Sequence, residues 1–132
     1  MQTHDFLGRV QDKAHLATMD AALRATRATL ETLAERLGPS ESRQLGAQLP
    51  REIQECLLTA AAVTEPFSSD EFLGRISERE GVALSESTHH ARAVIEVLSQ
   101  AVPAAEMIDV LDNLPADYAR LFIGSEGELP HF

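Results

Sequence analysis

The sequence holds one cysteine, Cys56, one lysine, Lys13, one tyrosine and no tryptophan. A lone cysteine excludes an intrachain disulfide, so nothing in the chain calls for an oxidising compartment. With one lysine and ten scattered arginines, no basic cluster exists to track a phosphate backbone or an anionic lipid surface. The formal charge of −10 points the same way, against nucleic acid and against membrane surfaces. No apolar run approaches the ~20 residues that a bilayer-spanning helix needs. The opening MQTHDFLGRV has neither the basic region nor the apolar centre of a secretory signal. These absences lead to the expectation of a cytoplasmic protein with no nucleic-acid or membrane partner.

Familiar catalytic signatures are missing too. There is no Gly-rich phosphate loop, no Gly-x-Ser-x-Gly elbow, no Cys-x-x-Cys and no His-Glu-x-x-His. Nor does any segment alternate β-branched and polar residues as a half-buried strand does. What remains is a chain of 132 residues, 44% hydrophobic, whose core must be built from Leu, Ala and Val because aromatics are scarce. That length suits a single domain, 1–132.

The chain repeats itself. DFLGR (5–9) returns as EFLGR (71–75), an offset of 66. RATLETLAERL (27–37) lies over RAVIEVLSQAV (92–102) at an offset of 65, bringing Arg27 onto Arg92 and Glu31 onto Glu96. Glu41 then falls on Glu106, and Leu49-Pro50 on Leu114-Pro115. The change of offset requires one extra residue in the first copy, in a loop within 10–26. A register shared over this length is an internal duplication. It divides the chain into unit one (4–60), a connector (61–69), unit two (70–123) and an acidic tail (124–132).

Each unit reads as about four helices. Leu23, Thr26, Leu30, Leu33 and Leu37 recur at spacings of three and four, and Ala91, Ile95, Leu98 and Val102 keep that stripe. Gly38-Pro39 and Pro103 end the two long helices. Ser40 is a candidate cap for the next helix, and Pro50 and Pro115 suit the first position of the one after. Ser68 and Glu71 form a capping box, with Thr3 and Asp5 as a weaker counterpart. A unit of this size is marginal alone, so the two should share one core as an all-α bundle with approximate two-fold symmetry. Gly8 and Gly74, helix-interior glycines at one place in both copies, suggest close approach of another backbone.

ALRATRATLETLAERLGPSESRQLGAQLP (22–50), PFSSDEFLGRISEREGV (66–82), HARAVIEVLSQAV (90–102) and NLPADYARLF (113–122) resemble the bacterial family known as domain of unknown function 2267. The resemblance implies a small helical protein, often encoded near general stress genes. It brings no activity and no catalytic residues.

The duplication weighs the candidate sites. A polar residue in both copies suits a structural role; a site residue can appear in one alone. Arg27 with Glu31 and Arg92 with Glu96 are spaced to pair along their own helix surfaces. Cys56 faces Leu121 in the repeat register, which suits a buried thiol better than a nucleophile. Glu86 with His89 and His90 gives the Glu-x-x-His spacing of di-iron bundles, and Asp12 to His15 offers a related spacing. These two motifs fall on different helices of the repeat, and His89 and His90 match Arg24 and Ala25, so a solvated helix start is the favoured reading and no metal or other cofactor is expected. Four apolar residues lie off the main stripes: Phe67, Phe122, Ile123 and Phe132. They either close the core beneath the connector or mark a candidate seam between units, suited to a basic amphipathic helix from a partner or another copy of the chain. The expected function is a non-enzymatic interaction module. The alternatives are a carboxylate/His metal enzyme and an acidic regulator of a basic protein.

Overall fold

A computed structural model describes residues 1–59 and 63–123, with the side chain of Ile123 undescribed. Phe132 lies outside the described residues. Among the described residues eight α-helices follow in order: α1 (Thr3–Ala14), α2 (Met19–Leu37), α3 (Pro39–Gly46), α4 (Arg51–Leu58), α5 (Ser69–Glu80), α6 (Leu84–Ala101), α7 (Ala104–Asp112) and α8 (Ala119–Ile123). A 3₁₀ turn, Ala116–Tyr118, leads into α8. The described residues contain no strand. No helix among them is long and apolar enough to cross a membrane.

The helix punctuation follows local chemistry. Residues 15–18 join α1 to α2, whereas 81–83 join α5 to α6. The first connection is one residue longer, where the offset change requires it. Gly81 closes α5 with φ +76, a left-handed cap that glycine adopts freely. His15 closes α1 at the matching place with φ 55, a conformation that costs a non-glycine residue about 1 kcal/mol or more. Ser68 caps α5, its hydroxyl accepting from the Glu71 N–H at 3.2 Å. The reciprocal half of the box is missing, because the Glu71 carboxylate turns to Arg75 instead. Gln2, not Thr3 or Asp5, precedes α1 and provides no side-chain cap. Gly38 caps α3 in place of Ser40, since Pro39 already occupies the first helical position. Pro50 and Pro115 stand one place earlier than expected, just before α4 and the 3₁₀ turn.

The long helices α2 and α6 pack together at the centre. Helix α1 packs on α2 and also on α6; α5 packs on α6 and also on α2. FLGR explains this crossing. Phe6 and Phe72 are fully buried, each such side chain stabilising the core by about 1.5–3 kcal/mol. Val10 and Ile76, one turn on, are buried beside them. The arginines reach the long helix of the other unit: Arg9 donates to Gln100 at 3.0 Å, and Arg75 to Glu35 at 3.0 Å.

The glycines of FLGR do not mediate close packing. A Cβ added at Gly8 or Gly74 would meet nothing within 4 Å. The close backbone approach occurs at Gly38, where φ is +89 and an added Cβ would run into the Thr64 side chain. There the connector is strapped to the end of α2. Glu65 N–H donates to Glu35 O at 2.9 Å, and Arg36 Nε donates to Phe67 O at 3.0 Å.

Candidate functional site

Three regions carry polar or apolar features beyond what the core needs. The first lies where the end of α5 meets the start of α6. Glu86 and His89 are exposed, but His90 is buried, with 8% of its surface accessible. The expectation of a solvated helix start therefore fails at His90, whose place on α6 turns it inward. Its Nδ1 pairs with the carboxylate of Glu80, itself only 6% exposed. The other carboxylate oxygen of Glu80 is sealed without a partner. His89 stacks on His15 with ring centroids 5.9 Å apart. Sequence reasoning passed over Glu80, yet a signal was present. In the repeat register, Glu80 and His90 match Ala14 and Ala25, both buried. One copy fills this helix crossing with two small residues, the other with a carboxylate–imidazole pair. Among the described residues, no three His, Cys, Asp or Glu side chains come together in a way that would hold a metal ion. Asp12 is exposed on α1.

The second region is an ion-pair seam between α2 and α5. Arg75 bridges Glu35 at 3.0 Å, Glu65 at 3.1 Å and Glu71 at 2.7 Å, and its guanidinium lies 4.0 Å from the centre of the Phe67 ring. Arg79 pairs with Glu35, donates to Thr32 Oγ1 at 2.7 Å and lies 4.0 Å from Glu31. Burial works against ionisation of Glu35, but Arg79 and Arg75 outweigh it and hold its carboxyl below the usual range. The expected pairs within α2 and α6 do not form. Glu31 turns to Arg79, and Glu96 turns to Lys13 at 2.9 Å. An i,i+4 pair in the Arg-before-Glu order contributes only a few tenths of a kcal/mol, so a partner on a packed neighbouring helix prevails.

Phe67 belongs to this seam as a core residue, not as an open docking aromatic. It is 6% exposed, and its carbonyl accepts from the Tyr118 hydroxyl at 2.7 Å as well as from Arg36. Burial pushes the Tyr118 hydroxyl up to about 12. Phe122 packs partly buried against the same core. Cys56 is buried, and desolvation raises its thiol, which makes it a poor nucleophile.

The third region is α7. It packs against α3, and Val110 and Glu106 are its buried residues. Its outer side carries Ala104, Ala105 and Ile108, the last 57% exposed, with Met107 and Leu111 half-buried beside them. Asp109 and Asp112 are exposed at the edge of this apolar strip. Helices α3 and α7 begin 65 residues apart, at Pro39 and Ala104. In that register Ala105 and Ile108 match Ser40 and Arg43. In the sequence register, then, the first copy carries polar residues at these positions and the second carries apolar ones.

Set against known proteins, the chain matches none of the curated proteins searched. Residues 3–121 match the family described as "Uncharacterized conserved protein (DUF2267)", which covers all eight helices except the last residues of α8. The chain therefore belongs to the DUF2267 family.

Proposed function

We propose that this DUF2267 chain is a non-enzymatic, cytoplasmic protein-interaction module that binds a basic amphipathic helix of a partner on the outer face of α7. The observation that carries the reading is Ile108, more than half exposed where the matching residue of unit one is Arg43. An apolar side chain that the fold does not require, on a helix whose inner side is already packed, suits a partner's apolar face. Ala104, Ile108 and Leu111 follow one another at spacings of four and three, the pattern an amphipathic helix matches. Asp109 and Asp112 supply an acidic edge, so the partner's rim is basic. A second copy of the chain is the weaker occupant, because each copy brings a charge of −10 to the contact.

The framework behind this face is two four-helix units about an approximate two-fold axis. Its support is the matched crossing of α1 onto α6 and α5 onto α2. The ion pairs follow the same match: Lys13 with Glu96 and Arg79 with Glu31 occupy equivalent places in the repeat. In this reading the duplication builds the core, and the sequence differences between units build the function.

The test uses a synthetic amphipathic helix of leucine and lysine, titrated by fluorescence anisotropy at low and high salt. Binding to the wild type should weaken with salt, and Ile108→Ser, which leaves the charge unchanged, should weaken it about tenfold, the loss of one well-buried aliphatic contact. Equal binding by both proteins would reduce the interaction to charge alone and remove α7 from it. Dimerisation seen by light scattering, lost in Ile108→Ser, would assign the face to a second copy instead.

A further inference from the structure

A cavity of about 310 Å³ opens between the start of α5, the middle of α6 and the 3₁₀ turn with α8. Ser69, Asp70, Leu73, Arg92, Asp117, Arg120 and Leu121 line it. Among the described residues neither Arg92 nor Arg120 has a carboxylate within salt-bridge distance, although the chain carries 21 acidic residues. The Nε of Arg92 is sealed from solvent and has no hydrogen-bond partner. A sealed guanidinium nitrogen without an acceptor is costly, and negative charge brought from the cavity to the outer part of the same guanidinium would offset part of that cost.

The acidic residues of the cavity are already engaged. Asp117 accepts the Ser69 N–H at 2.9 Å, and this backbone hydrogen bond lowers its carboxyl. Asp70 sits in the first turn of α5, where the helix dipole balances part of its charge. The two arginines are therefore the uncommitted charges, and Leu73 and Leu121 give the cavity an apolar wall. The register sharpens the contrast. Arg92 matches Arg27, but Arg120 matches Glu55 and Leu121 matches Cys56. Only unit two places two arginines around this space.

We propose that this cavity binds a small organic monocarboxylate with a short apolar tail. The carboxylate faces the planar guanidinium of Arg92 and that of Arg120, whose geometry suits two-point recognition. The tail lies on Leu73 and Leu121. A dianion such as phosphate is disfavoured, because it brings a second charge toward Asp70 and Asp117 and leaves the apolar wall uncovered.

The experiment titrates the full chain with acetate, butyrate, hexanoate and inorganic phosphate, read by NMR shifts and calorimetry. Affinity should rise by about fourfold for each methylene that is buried, so hexanoate should bind far more tightly than acetate. Arg120 is exposed, so Arg120→Gln should fold normally and weaken hexanoate binding at least tenfold. Arg92→Lys, which keeps the charge but loses the planar fork, should weaken it as well. Arg27→Lys, the same change at the place matching Arg92 but outside the cavity, should leave binding unaltered. Absence of hexanoate binding, a flat series from acetate to hexanoate, tighter binding of phosphate, or equal binding by Arg120→Gln would each overturn the assignment.

Discussion

Gly8→Ala and Gly74→Ala should stabilise the protein. Both residues stand inside helices, α1 and α5, with ordinary helical backbone, and an added Cβ at either meets open space. The methyl group therefore removes backbone entropy from the unfolded chain without strain in the folded one. Each change should contribute about 0.5–1 kcal/mol. Unfolding entropy of roughly 2.1 cal/mol/K per residue gives about 0.28 kcal/mol/K for 132 residues, so 1 kcal/mol raises Tm by about 3.6 °C. The double variant should melt about 4–7 °C above the wild type by calorimetry. Gly38→Ala is the contrasting case, with φ +89 and the Thr64 Cβ 3.1 Å and Cα 3.4 Å from the new methyl group. It should lose on the order of 2 kcal/mol or more from backbone strain and displacement of the connector. A destabilised Gly8→Ala or Gly74→Ala protein would refute the geometry, because only a neighbouring backbone against these glycines would produce it.

Three further outcomes follow from packing and charge. Thr29 is fully buried on α2 with its hydroxyl unpaired, and Val94 holds the matching place on α6, so Thr29→Val should raise stability by about 1 kcal/mol in chemical denaturation; a loss would reveal a hidden partner. Because Glu35 is held below its ordinary range when folded, its ion pairs stabilise the protein above the unfolded-state value and are lost as pH falls through the folded one. The melting temperatures of wild type and Glu35→Gln should therefore differ at neutral pH and converge in acid, and a gap independent of pH would contradict the pairing. Finally, segments 1–64 and 65–132 made separately should lack cooperative thermal unfolding, since α1 and α5 each lose the long helix of the other unit; sharp monomeric transitions from both would show that neither needs the other's core.

Much of the architecture was legible because it is local. The three-and-four spacing of Leu23 to Leu37 and of Ala91 to Val102 marks the two long helices, and Gly38, Pro39 and Pro103 mark where they stop. The one-residue change of offset located the longer connection between α1 and α2. Side-chain pairing was less legible, since it depends on which helices lie side by side. Glu31 and Glu96 left their own-helix arginines for Arg79 and Lys13, and no spacing rule reports that choice. Gly8 and Gly74 misled for a related reason: a repeated glycine signals a shared backbone, but not what faces it. The burial of His90 on Glu80 was readable only as a paired difference between units, Glu80 and His90 against Ala14 and Ala25. Ile108 is similar. Its contrast with Arg43 was visible in the sequence, but its exposure required the orientation of α7.

Residue-resolved NMR shows whether the apolar face of α7 receives a basic helix. A ¹⁵N-labelled chain is titrated with the leucine–lysine helix, in the wild type and in Ile108→Ser. Shift changes should concentrate on α7, at Ala104, Ala105, Ile108, Asp109 and Asp112, and be largely abolished by the substitution. Changes spread evenly over acidic surfaces, or centred away from α7 and unaltered by Ile108→Ser, would contradict binding on this face.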